Sequence, residues 1–234
     1  MADQVRHDVA SIKYDSTSGF LLDTLARHCE QSEAIYYSIM KYISSILFLA
    51  LVASSASLAA PKAKKQELKD PRDKQKYRLV KIADRTWMAD NLNYNMPGST
   101  CYREDEDNCM VYGRLYTWEA AKSACPAGYR LPTNEDFESL WKAAGGDFNA
   151  GYLIKANYGW SGETNGNDTL KFSAMPAGNM FDDGTYGNES KFAFFWSANV
   201  EGNEASVWYL SSKSMGFSYM MKPKAFGFSV RCVQ

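Results

Sequence analysis

Four cysteines placed late in the chain limit what it can fold into more than any other feature. The sequence holds five: Cys29, Cys101, Cys109, Cys125 and Cys232. Cys29 lies in a stretch unlike the rest, described below, and setting it aside leaves an even number. Four cysteines in an exported chain read as two disulfides, with three pairings open. Cys101 and Cys109 bracket a polar, acidic stretch (102–108) that suits a local bridge. Cys125 would then pair with Cys232 and tie a helix end to the last strand. In the chain-entropy picture, a bridge over so long a loop stabilises by roughly 4–5 kcal/mol, less any strain. Metal binding is the competing use of cysteine, but structural zinc sites usually space cysteines about two to four residues apart and add histidine. No such pair exists here, and both histidines, His7 and His28, precede residue 40. The same absence removes Ser-His-Asp and Cys-His catalysis. Carboxylates, Lys, Tyr and Cys remain as acid–base or nucleophilic groups.

Export is read from Met40 onward. Met40-Lys41 is followed by the apolar run 46–53 and small residues to Ala60, the pattern of a signal peptide cleaved near Ala59 or Ala60. The apolar core is shorter than the roughly 20 residues of a membrane-spanning helix. Residues 1–39 carry no targeting pattern and read as an extension that is untranslated or disordered. Residues 61–76 hold seven Lys or Arg against three Asp or Glu, and 77–234 hold fifteen against eighteen. The first composition suits a solvated basic linker, and the second a mildly acidic globular domain. Net charge is −1, so no global field favours nucleic acid or an anionic membrane. The expected product is secreted, periplasmic or held at the cell surface, touching the membrane only through its export signal.

Within 77–234, Tyr77–Ile82 and Thr86–Ala89 alternate as a hairpin about Ala83-Asp84-Arg85. Residues 117–124 read as a short helix stopped at Cys125-Pro126. Thr133 and Asp136 form a capping box for a second helix with Phe137, Leu140 and Trp141 on one face, ended by Gly145-Gly146. Residues 148–189 read as a long Gly/Asn-rich loop. Strands follow at 192–197, 206–210, 216–220 and 227–233. Two short helices before a mostly antiparallel sheet describe an α+β domain.

Several phrases fall in order along this region: Lys81-Ile82, Thr86–Tyr94, Tyr112–Trp118, Cys125–Thr133, Phe172–Gly178, Phe195-Trp196-Ser197 and Gly227–Val233. The series resembles the Fibrobacter succinogenes major paralogous domain, a family of exported or surface proteins whose biochemical function is not established. More distantly it is similar to the C-type lectin-like fold, where a helix ends in Cys, a Leu-Pro-Thr-like turn opens a second helix, and a final strand carries the partner Cys. Cys125 and Cys232 stand in those places, so the resemblance implies the long bridge too. The Glu-Pro-Asn-like loop of calcium-dependent lectins and the late Cys pair of formylglycine-generating enzymes are both missing. Neither activity carries over.

Three candidate sites follow from the residues. Tyr152, Tyr158, Trp160, Phe181 and Tyr186 punctuate the long loop and could stack on sugar rings, or could pin the loop to the core. Glu163, Asn165, Asn167 and Asp168, with Asp182 and Asp183, could supply oxygen ligands to calcium, although their spacing fits no EF-hand. The acidic run 103–108 could draw a cation or basic partner, or form a solvated hairpin tip. Trp87, Trp118, Trp196 and Trp208 sit in regular patterns and read as core. The expectation is a non-catalytic surface domain for carbohydrate or another envelope ligand, with Tyr158, Trp160, Asn165, Asn167, Asp168 and Tyr186 at its site. Calcium is the one cofactor candidate. The alternatives are a structural surface protein making protein contacts, or an enzyme that uses carboxylates without histidine on polysaccharide.

Overall fold

The computed structural model describes residues 38–43 and 66–234, and residues 38–43 are helical. Residues 1–37 and 44–65, which hold most of the extension and signal segment and the start of the linker, lie outside the described residues. No described helix is long and apolar enough to cross a membrane. The chain divides into units Met1–Ala63 and Lys64–Gln234; all that follows concerns the second.

That unit is α+β with mostly antiparallel sheets. Strands β1 (Glu67–Lys69), β2 (Lys76–Ile82) and β3 (Arg85–Met88) form one antiparallel sheet in that order. A second sheet runs β10-β9-β8-β11-β5-β4, from β4 (Ser99–Thr100), β5 (Leu115–Tyr116), β8 (Phe192–Glu201), β9 (Glu204–Ser211), β10 (Phe217–Pro223) and β11 (Phe228–Ser229). Among the described strand pairs, only β11 against β8 is parallel. β6 (Ala177–Met180) and β7 (Tyr186–Glu189) make a separate hairpin. The helices are α1 (Glu106–Tyr112), α2 (Trp118–Ala124), α3 (Asn134–Ala143) and α4 (Ala150–Ile154).

The long strands β8 and β9 divide the core. Side chains alternate across a strand. Phe194, Trp196, Ala205 and Val207 therefore pack on one side with α2, and Ala193, Phe195, Trp208 and Leu210 on the other with α3 and α4. Burial on both faces explains why 192–196 is an unbroken apolar run rather than an alternating one. Trp87, Trp118, Trp196 and Trp208 are all buried, as expected.

α3 begins as its sequence implies. Thr133 Oγ1 accepts from the Asp136 N–H, and Asp136 Oδ2 accepts from the Thr133 N–H. Asp136 also takes Arg130 and Arg85. Its burial would raise the carboxyl pKa, but hydrogen bonds from Arg130, Thr133 and Arg85 outweigh that and hold it well below the usual range.

Both disulfides are present, Cys101–Cys109 and Cys125–Cys232. The acidic segment between the first pair is not a hairpin tip. It forms a 3-10 turn (Tyr102–Glu104) and then α1, capped by Asp105 accepting from the Asp107 N–H. Acidic residues suit a helix N-terminus, where they meet the positive end of the dipole. The basic stretch is not wholly linker either. β1 pairs with β2, and Arg72 Nη2 donates to the carbonyl of Ala124 at the end of α2. Asp70 is fully buried against Arg72. The segment 227–233 is also not one strand. After β11 the chain leaves the large sheet, and Met88 donates to Cys232 O while Thr86 and Gln234 exchange both backbone bonds.

Lys155 follows α4 with no exposure, its Nζ donating to Ser211 O and Ser214 O over the Trp160 ring. Burial lowers its pKa from 10.5 to about 8. The unfolded chain therefore binds the extra proton between those values, and stability rises with pH across that window. A Lys155→Met variant should lose this rise, so the difference between its pH–stability curve and that of the wild type should slope between about pH 8 and 10.5. Replacing Cys125 and Cys232 together with Ser should lower unfolding free energy by about 4–5 kcal/mol in denaturant melts, since 107 residues separate them.

Candidate functional site

The long loop is closed by its own polar side chains. Asn165 Oδ1 accepts from the Trp160 N–H, Asn167 Oδ1 from the Thr169 N–H, and Asp168 takes both the N–H and the hydroxyl of Ser173. Asp183 does the same for Thr185. These groups were candidate calcium ligands, and each satisfies a nearby donor within the loop. Among the described residues, the Cys, Asp and Glu side chains that gather closely enough for a metal are Cys101, Glu106 and Cys109. Two of those sulfurs are spent on a disulfide. Gly166 lets the loop return, because a Cβ there would lie 2.5 Å from the Lys155 carbonyl oxygen.

The expected aromatic surface separates into two fates. Trp160 is 5% exposed, and its indole N–H donates to Ala174 O. It belongs to the core beside Phe172 and Ile154 and cannot stack on a ligand, which corrects its assignment to the site. Tyr186 is half-buried: its hydroxyl meets Thr100 Oγ1 and its ring edge meets Tyr102, so it fastens the β6–β7 hairpin. Tyr158, two residues before Trp160, is 61% exposed.

Tyr158 opens onto a cleft of about 210 Å³. β2 supplies Lys76, Tyr77 and Arg78, the turn after β3 supplies Asp90 and Asn93, and the end of α1 supplies Met110 to Tyr112. Ser173, Met175 and Arg231 complete it. Arg78 grips Asp90, with Nε and Nη2 on Oδ1 and its backbone N–H on Oδ2. Tyr77 Oη accepts from the Asn93 N–H, and burial pushes its phenol up to about 12, so it stays neutral. Asn93 Oδ1 is buried with no hydrogen-bond partner among the described residues. Such an atom carries a desolvation cost of about 1–3 kcal/mol until a donor reaches it. Met110 and Val111, 81% and 57% exposed, add an apolar rim.

Of the six expected ligand-binding residues, the cleft contains only Tyr158. Asp168 supports it indirectly through Ser173, while Asn165, Asn167, Trp160 and Tyr186 do not line it. Arg78, Asp90 and Asn93 were missed because they come from the first hairpin, far from the long loop in sequence. The dense Asn/Asp run 90–95 was the available signal.

Fold and cleft together define an α+β domain closed by two disulfides. The chain belongs to the Fibrobacter succinogenes major domain family, whose model matches residues 80–234. No curated protein and no solved structure matches it.

Tyr158→Ala should leave stability within about 0.5 kcal/mol of wild type, as an exposed ring removed from a surface. Trp160→Ala should cost about 3–5 kcal/mol in denaturant unfolding, because it empties the core.

Proposed function

We propose that this is an exported, non-catalytic binding domain whose cleft takes a saccharide. The carrying observation is the pairing of an exposed ring, Tyr158, with the unpartnered buried acceptor Asn93 Oδ1 in one cleft. A sugar offers an apolar face to the ring and a hydroxyl to the acceptor. Arg78, Lys76 and Gln75 add donors at the same opening. The reading also rests on the cleft's carboxylate. Both oxygens of Asp90 are held by Arg78, which suits a fixed hydrogen-bonding surface better than proton transfer.

A lectin-like scaffold is part of the proposal. It is supported by a helix that ends in Cys125, the Leu131-Pro132-Thr133 turn into α3, and the bond to Cys232 near the end of the chain. Export is supported by the 40–60 pattern and suits the two disulfides. Calcium is not required for binding in this reading.

The test is a polysaccharide pull-down and glycan array with and without calcium. Binding should survive chelation and weaken at least about tenfold in Tyr158→Ala and in Asn93→Ala, the scale of one lost stacking or buried hydrogen bond. Absence of binding to every glycan, or equal binding by both variants, would sink the proposal.

A further inference from the structure

A second groove, about 310 Å³, lies between α3 and the strands β9 and β10. Its accessible rings are Tyr219 and the half-buried Trp141 of α3, lying over the buried rings of Trp208 and Phe217. Trp208 sits 4.9 Å from Phe217 and 5.4 Å from Tyr219 between ring centres, and Tyr219 is 56% exposed. Ser218 and two carboxylates, Glu138 and Asp147, complete the lining, and no Lys or Arg lies in it. Neither carboxylate makes an ion pair among the described residues. Aromatic faces and unpaired carboxylates both attract an alkylammonium group, the first through the ring quadrupole and the second by charge. The apolar stem of a lysine would lie along the rings while its head met the acids.

Two neighbouring features point to a polypeptide as the carrier of that group. Phe148, next to Asp147, is 89% exposed, the largest exposure of any apolar side chain described. β10 is the outer strand of the six-stranded sheet and pairs with β9 alone among the described residues. Its other edge presents backbone donors and acceptors that an extended chain could use. We propose that this groove docks a lysine side chain of a partner polypeptide, independently of the saccharide cleft.

The test is calorimetric titration of the full chain with three probes: an acetylated five-residue peptide with one central lysine, its norleucine counterpart, and n-butylammonium. The lysine peptide should bind with an affinity that falls as salt rises. The norleucine peptide, and the Glu138→Gln/Asp147→Asn double variant with the lysine peptide, should each bind about five- to tenfold more weakly, the scale of two partly exposed charge contacts. Tyr219→Ala should also weaken binding, and Tyr158→Ala should not. Near-ultraviolet circular dichroism checks that these surface variants stay folded. Equal binding of the two peptides, wild-type affinity in the double variant, or no heat at millimolar peptide would overturn the proposal. n-Butylammonium binding as tightly as the peptide would overturn the polypeptide part of it. Loss of saccharide binding in Tyr158→Ala leaves this result untouched, so the two readings fail separately.

Discussion

The buried guanidinium of Arg231 is the constraint on which the rest of the structure depends. It is 1% exposed and has no carboxylate partner among the described residues. Burial pushes its pKa down, yet a guanidinium stays charged at neutral pH. The charge is met by neutral oxygens instead: Asn91 Oδ1 and the carbonyls of Met88, Phe172 and Ser173, with the Phe172 ring against its plane. Those oxygens come from the first hairpin, the turn after it and the long loop. One side chain therefore holds the stretch 88–91 and the long loop in register with its own segment. The loop bends sharply to comply, for Asp168, Lys171 and Ser173 all take positive φ. Each such residue costs on the order of 1 kcal/mol. The bonds from Asp168 to Ser173 and from Arg231 to the loop carbonyls offset that strain.

The cleft beside Tyr158 is a by-product of this arrangement. Arg231 and Ser173 reach its lining because the guanidinium draws the long loop against the turn at 89–93. Asn91 extends the same network, giving its amide hydrogens to Tyr112 O and Ser229 Oγ and so fixing the end of α1. The cleft's two sides are thus joined through buried polar contacts rather than apolar packing alone. The groove at α3 is different in kind. It lies over the second core, where Trp208 stacks on Phe137, Phe217 meets that ring edge-on, and the carboxylates stand outside.

Local physics was legible in the sequence and long-range physics was not. α3 could be read because its cap, its apolar spacing and its glycine stop lie within a few residues of one another. The tryptophans in regular patterns fell in the core for the same reason. α1 escaped because four consecutive acids resemble a solvated run, whereas here they sit at a helix start braced by Cys101–Cys109. Tyr158 and Trp160 looked alike on the loop; what separates them is Lys155, Ala174 and Asn165, whose contacts with Trp160 depend on the whole turn. The first hairpin's part in the cleft was hidden because its partners stand some 140 positions away, as with Arg231 and Asn91 at a separation of 140.

The placement of Arg231 and Cys232 also bears on biogenesis. The backbone bonds that tie β3 to the rest of the domain run to 232–234, beside the Cys125–Cys232 bridge, so they belong to the last part of this domain to leave the ribosome. A nascent chain can form its hairpins and α3 early, but its two cores stay unsealed until that stretch emerges. A polypeptide so ordered completes its fold only when its last residues are free to pair and Cys232 can meet Cys125.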